Sequence, residues 1–187
     1  YVYRLLCGSW HGNPSRRLKL VGVTGTNGKT TTTYMMKHIL ESAGKKVGLI
    51  GTIHNEIDDI LLPAKHTTPD PMVLHSMLAR MEKAGCEYVV MECSSHALDQ
   101  HRVAGVTFQT AIFTNLTQDH LDYHQTMENY FQAKKRLFSM CGTAVLNLDD
   151  AYGRRLQEEV SCKALTFSTD NDLADYTAKN IQSAPDS

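Results

Sequence analysis

The feature that most constrains the fold is an apolar run, residues 18–23, that breaks into Thr24-Gly25-Thr26-Asn27-Gly28-Lys29-Thr30-Thr31 and continues as a helical pattern over 29–43. A strand, a glycine-bearing turn with Lys-Thr, and then a helix is the layout of a phosphate-binding loop. The glycines let backbone N–H groups close on phosphate oxygens, and the helix start adds partial positive charge. Lys29 is placed to reach β- and γ-phosphates, and Thr30 to offer its hydroxyl to Mg2+. The general pattern wants glycine five residues before Gly28, where this chain has Val23. That departure separates it from the standard GTPase and kinase loops.

Beyond the loop, strands and helices alternate. Strands are expected at 18–24, 46–52, 87–92, 110–116, 144–148, 164–167 and 176–181, and helices at 29–43, 71–85, 127–140 and 152–160. Gly44 stops the first helix, while Asp70 and Pro71 start the second. Residues 88–91 form the continuous apolar run of a buried parallel strand. Residues 53–66 read as loop or short strand. The expected class is α/β, a P-loop-type, mostly parallel open sheet with helices on both faces. Ligands of such sheets sit at the carboxyl ends of the strands, so segments 24–30, 92–102 and 115–124 should converge on one edge. Residues 1–17 fall outside the alternation, and Gly12-Asn13-Pro14-Ser15 reads as a linker.

Composition narrows the partners. A net charge of −1 over 187 residues offers no bulk electrostatic case for nucleic acid or an anionic membrane. No apolar run approaches the ~20 residues that span a bilayer, so no membrane span is expected, and residues 1–7 lack a signal-peptide pattern. The five cysteines are scattered, odd in number and without a Cys-x-x-Cys pair. They read as reduced thiols of a cytoplasmic protein.

Several residues carry candidate chemistry. Glu92 ends the apolar strand, where a P-loop protein usually places an acidic metal ligand. Cys93-Ser94-Ser95-His96 puts polar groups at the top of the sheet, although serines and histidines also cap helices. Segment 115–124 is dense in His, Asp and Asn and could ligate a second divalent ion. Lys134-Lys135-Arg136 reads, from spacing alone, as a solvated basic helix face.

Longer motifs carry a resemblance. Thr24 to Thr31 is similar to the ATP loop of the Mur ligases and the related folylpolyglutamate synthetases. The stretches His66-Thr67-Thr68-Pro69, Met91-Glu92-Cys93-Ser94-Ser95-His96-Ala97-Leu98, Gln100-His101-Arg102, Thr114 to His124, and Glu128-Asn129-Tyr130-Phe131-Gln132-Ala133-Lys134 resemble the Mur ligases that extend UDP-MurNAc-L-Ala-D-Glu. The resemblance implies ATP-dependent addition of a diamino acid, meso-diaminopimelate or L-lysine, through an acyl phosphate, in peptidoglycan precursor synthesis. It implies that Lys29 binds the β- and γ-phosphates, that Thr30 and Glu92 hold one Mg2+, and that His120 holds a second. Lys134 matches a family lysine that is carbamylated and supports that second ion, which reverses the reading of a solvated basic face. Thr67, Thr68, Ser94, Gln100 and Arg102 are the implied contacts of the UDP-MurNAc-dipeptide.

On the same resemblance, residues 1–17 are the end of an N-terminal domain and its linker. Residues 18–187 are part of the ATP-binding central domain, and a C-terminal domain is absent. The partners are small molecules, and a monomer is expected. Rival readings are a sister Mur ligase, a folylpolyglutamate synthetase, a nucleotide-binding module without ligase chemistry, and a GTPase or kinase. The chain alone should therefore lack ligase turnover. With ATP, UDP-MurNAc-L-Ala-D-Glu and diamino acids present, ADP release near the rate of a full-length Mur ligase would refute that expectation.

Overall fold

The computed structural model describes residues 2–181. Tyr1 and residues 182–187, the end of the expected central-domain segment, lie outside the described residues. In chain order the elements are α1 (Val2–Trp10), β1 (Lys19–Thr24), α2 (Lys29–Ser42), β2 (Val47–Ile50), β3 (His54–Ile57), β4 (Ile60–Pro63), α3 (Pro71–Lys83) and β5 (Tyr88–Glu92). They continue with α4 (Ser95–Asp99), β6 (Phe108–Phe113), α5 (Leu121–His124), α6 (Met127–Lys135), β7 (Cys141–Asn147), α7 (Ala151–Glu159), β8 (Lys163–Ser168) and β9 (Tyr176–Thr177). No helix among the described residues is long and apolar enough to cross a membrane.

The strands form one sheet in the order β4-β3-β2-β5-β1-β6-β7-β8-β9. All pairings are parallel except those of β3, which runs antiparallel to both β2 and β4. β1 therefore lies mid-sheet between β5 and β6, with Val23 beside Glu92 on one side and Ile112 on the other.

Alternation along the strands divides the core. Val21, Val23, Val47, Val90 and Ile112 face α2, whose Met36 and Leu40 pack on them. Their neighbours Leu20, Val89 and Met91 point the other way, into a larger cluster with Leu74, Leu78 and Met81 of α3 and Phe131 of α6. Both faces of the central strands are thus apolar, as a two-sided parallel sheet requires. Close packing reaches the backbone at Gly48 of β2, where a Cβ would lie 2.7 Å from the Met81 sulfur.

Several features differ from the sequence reading: besides the unexpected helices α1, α4 and α5, β2 ends at Ile50 and β6 spans Phe108–Phe113. Residues 53–66 make a β-hairpin, β3–β4, turning at Asp58 and Asp59, both at positive φ (53° and 63°). Two such residues give the turn whose twist matches that of the strands. The expected helix 127–140 stops at Lys135 and tightens into a 3-10 turn, Arg136–Met140. β9 is two residues long rather than six. The stretch read as a linker is seated on the core. Pro14 and Ser15 are buried in a 3-10 turn, Cys7 of α1 is buried, and Arg17 pairs with Glu82 of α3.

Leu78 is fully buried on the inner stripe of α3. Leu78→Ala should cost about 2–5 kcal/mol of stability, the usual range for emptying a close-packed Leu site. Urea unfolding measures it, and a loss below about 1 kcal/mol would contradict the packing described.

Candidate functional site

The phosphate-type loop is shaped by β6 and the segment after it. Thr24 ends β1 with its hydroxyl donating to the Cys93 carbonyl at 2.8 Å, and its own carbonyl accepts from the Thr114 N–H at 3.0 Å. Gly25 follows at φ +149°, and a Cβ there would sit 1.9 Å from Thr114 Oγ1. No side chain fits that approach. Asn115 clasps the far side of the loop: its Oδ1 accepts from the Asn27 N–H at 3.0 Å, and its Nδ2 donates to the Asn27 carbonyl at 3.2 Å. Gly28 at φ +82° then turns the chain into α2. Lys29 Nζ curls back to donate to the carbonyls of Gly25 (2.9 Å) and Thr26 (2.8 Å), and burial lowers its pKa. The loop therefore presents helix-start N–H groups and an ammonium at one point, the chemistry of an anion site.

Glu92 closes β5 directly opposite. It is fully buried. Thr30 Oγ1 lies 3.0 Å from each of its carboxylate oxygens, the Thr52 N–H donates to Oε1 at 2.9 Å, and the Thr52 hydroxyl donates to Oε2 at 3.0 Å. Among the described residues no ion pair involves Glu92. The buried carboxylate is held by hydroxyls and one N–H, with the Lys29 ammonium as a nearby cation beyond contact distance. Hard oxygen donors around such a charge fit Mg2+.

Lys134 projects from α6 into the same region. It is 1% exposed; its Nζ donates to the Gly25 carbonyl at 2.7 Å and stands 4.5 Å from the centre of the Tyr130 ring. Burial first, and the nearby Lys29 charge second, hold its pKa well below the usual lysine range. The reading of 134–136 as a solvated basic face is thereby corrected. Lys134 is buried over the loop, against the Gly25 carbonyl and the Tyr130 ring, while Lys135 pairs with Glu159 at 2.7 Å and Arg136 with Asp99 at 3.3 Å.

His120 sits at φ 52° at the start of α5, with its ring edge-on to His96 (5.0 Å) and Tyr130 (6.0 Å). A cleft of about 300 Å³ joins residues 26–31, Glu92, His120 and Lys134 with Thr67 and Ser94. Most of the sequence-selected residues thus converge at one sheet edge. Thr24 and Thr68 lie beneath it instead: the Thr68 hydroxyl donates to the Glu92 carbonyl at 2.8 Å and accepts from the Ser94 N–H at 3.0 Å. Gln100 and Arg102 stand to one side, joined to each other at 3.0 Å, with Arg102 reaching the Thr68 carbonyl at 3.3 Å.

Thr52 and Tyr130 have no role of their own in the sequence reading, and Ser95 and His124 enter it only within longer polar stretches. Thr52 holds Glu92. Tyr130, its hydroxyl 3.2 Å from Thr26 Oγ1, packs under Lys134. His124 and Ser95 meet at 2.9 Å, and burial, with the neighbouring His96 next, lowers the His124 pKa. The available signal for Thr52 was its place at the end of a strand, which points to the site only once β2 is known to lie beside β5.

Comparison with known proteins bears on the whole chain. Residues 23–187 match the Mur ligase middle domain family. Over 182 residues the chain is 51% identical to a UDP-N-acetylmuramoyl-L-alanyl-D-glutamate–2,6-diaminopimelate ligase of Parabacteroides distasonis, covering 96% of this chain and 37% of that protein. A protein of the same name from Clostridium tetani is 52% identical over 174 residues, covering 93% and 36%. A solved structure of a ligase of that name superposes with a TM-score of 0.82 at 35% identity, covering 93% of this chain and 38% of the other. The chain spans little more than a third of the length of the curated relatives it matches. A match that begins inside β1 and takes in the whole cleft makes this chain a member of the Mur ligase family, carrying its middle domain.

Proposed function

We propose that this chain is the nucleotide-binding part of a ligase that uses ATP to join a diamino acid to UDP-MurNAc-L-Ala-D-Glu. The observation that carries the reading is the meeting, in one cleft, of the loop with Lys29, the buried carboxylate of Glu92 and the buried amine of Lys134. The relatives' names favour 2,6-diaminopimelate as the incoming amino acid.

The residues divide the work. N–H groups at the start of α2 and the Lys29 ammonium hold the β- and γ-phosphates. Thr30 and Glu92 would hold one Mg2+, and His120 with a carbamylated Lys134 a second. Bound Mg2+ supplies charge neutralisation between the anionic nucleophile and the phosphates. The side-chain carboxylate of D-Glu attacks the γ-phosphorus, and ADP leaves. The amine of the diamino acid then attacks the acyl carbon, phosphate departs with a former carboxylate oxygen, and the amine gives up a proton as the amide forms. No protein nucleophile is required. As an amine, Lys134 is no ligand for a hard cation. Only the neutral amine reacts with CO2 to become a carbamate, and burial beside Lys29 favours that form.

The test is a full-length ligase carrying this chain, incubated with Mg-ATP, UDP-MurNAc-L-Ala-D-Glu and a panel of amino acids. A product heavier by one diaminopimelate residue is expected. No adduct with any amino acid, despite ATP binding, would overturn the reading and favour a sister ligase or a non-catalytic module.

Lys134→Met should reduce turnover by at least about a hundredfold, the scale of a lost electrostatic group in a water-poor site. In bicarbonate-free buffer the same change should stabilise the chain at neutral pH. The unfolded lysine keeps its proton up to about 10.5 while the folded one releases it earlier. Between those limits the unfolded state binds more protons, so wild-type stability rises with pH relative to the Met variant. Denaturation across pH 7–10 checks this, and parallel profiles would contradict it.

A further inference from the structure

We propose that Thr52 is a positioning residue that ties the Glu92 carboxylate to the substrate-side loop at Thr67. The inference rests on the reading of the cleft given above and extends it to a residue that reading does not use.

The backbone puts Thr52 in place. Ile50, the last residue of β2, is registered opposite Met91 of β5, so the chain leaving β2 passes alongside Glu92. Gly51 comes first. A Cβ there would lie 2.6 Å from Glu92 Oε1, so any larger residue would push the carboxylate away from the strand end. Thr52 then engages both carboxylate oxygens, the N–H with Oε1 at 2.9 Å and the hydroxyl with Oε2 at 3.0 Å, and its Oγ1 also stands 3.1 Å from Thr67 Oγ1.

Proton counting orients this chain of hydroxyls. A threonine hydroxyl has one proton to donate, and a carboxylate only accepts. Thr52 Oγ1 is the donor toward both Glu92 Oε2 and Thr67 Oγ1, so its one proton is shared between the carboxylate and the substrate-side hydroxyl. Thr30 also donates to Glu92. Thr52 thus bridges Thr67 and Glu92, which Thr30 meets from the other side. With its proton on Glu92, Thr30 turns lone pairs toward the cleft, which suits a cation. One carboxylate is thereby tied to the nucleotide side through Thr30 and to the substrate side through Thr52.

The test compares Thr52→Val, which keeps the shape and loses the hydroxyl, with Thr52→Ser, which keeps the hydroxyl. Thr52 is exposed beyond the strand end, so neither change removes a core contact. Binding of a non-hydrolysable ATP analogue is titrated against Mg2+, and backbone hydrogen exchange is followed over residues 64–70, on this chain and on the full-length ligase. Outer-shell partners of metal-binding carboxylates typically account for about 10- to 100-fold in metal affinity. Thr52→Val should therefore raise the Mg2+ needed for half-saturation about tenfold, leave Mg2+-free nucleotide affinity unchanged and speed exchange at 64–70. Thr52→Ser should restore both within about twofold. A merely structural role would lower Mg2+-free affinity as well. Wild-type Mg2+ dependence in the Val variant, or no rescue by Ser, overturns the proposal. A wild-type chain that binds no nucleotide overturns the reading of the cleft instead. The exchange measurement then still decides whether Thr52 holds the Thr67 loop, and unchanged exchange in the Val variant would reject it.

Discussion

The site is organised by a buried carboxylate at the end of a central strand. Among the described residues Glu92 has no cationic partner at ion-pair distance, so the contacts that hold it are hydrogen bonds from Thr30 and Thr52, with Lys29 acting on it from farther off. Burying such a group costs several kcal/mol unless those bonds are made. Each bond anchors a different segment. Thr30 brings the first turn of α2, and Thr52 brings the exit of β2. The Glu92 backbone carbonyl adds Thr68, whose hydroxyl donates to it and in turn accepts from the Ser94 N–H. The nucleotide loop, the hairpin edge and the serine turn are thereby held to one residue.

The second constraint is electrostatic and opposes stability. Lys29 and Lys134 both donate to the Gly25 carbonyl, at 2.9 and 2.7 Å, and each is partly stripped of water. Neighbouring cations disfavour each other's charged form, and burial acts in the same direction. A chain selected for stability alone would place an apolar side chain at 134. Strain of this kind at a site is the usual counterpart of function, because the same dry, positively biased cleft strengthens interactions with a polyphosphate.

Much of this was legible in the sequence because it depends on local pattern. The turn at 24–30 carries its own glycine and Lys-Thr chemistry. The apolar runs 18–23 and 88–91 announce buried parallel strands, and Pro71 after Asp70 marks a helix start. The hairpin at 53–66 was not legible, since neither short strand alternates cleanly and its turn uses Asp58 and Asp59 rather than a glycine pair. The seating of residues 2–17 on α3 was also hidden, because a buried Cys7 and an Arg17–Glu82 pair leave no periodic trace.

The sequence by itself determined the strand and helix alternation, the phosphate-type loop and, through its motifs, the family. Tertiary structure decided which polar residues act together. Lys134 reads as surface by spacing and is buried because α6 lays it over the loop, against the Gly25 carbonyl and the Tyr130 ring. Thr52 reads as an ordinary strand end and becomes a partner of Glu92 because strand order places β2 beside β5. The reason is one of range. Backbone preferences and amphipathic periods act within a few residues, whereas burial, charge compensation and hydroxyl direction depend on neighbours brought in from 40 to 109 positions away along the chain.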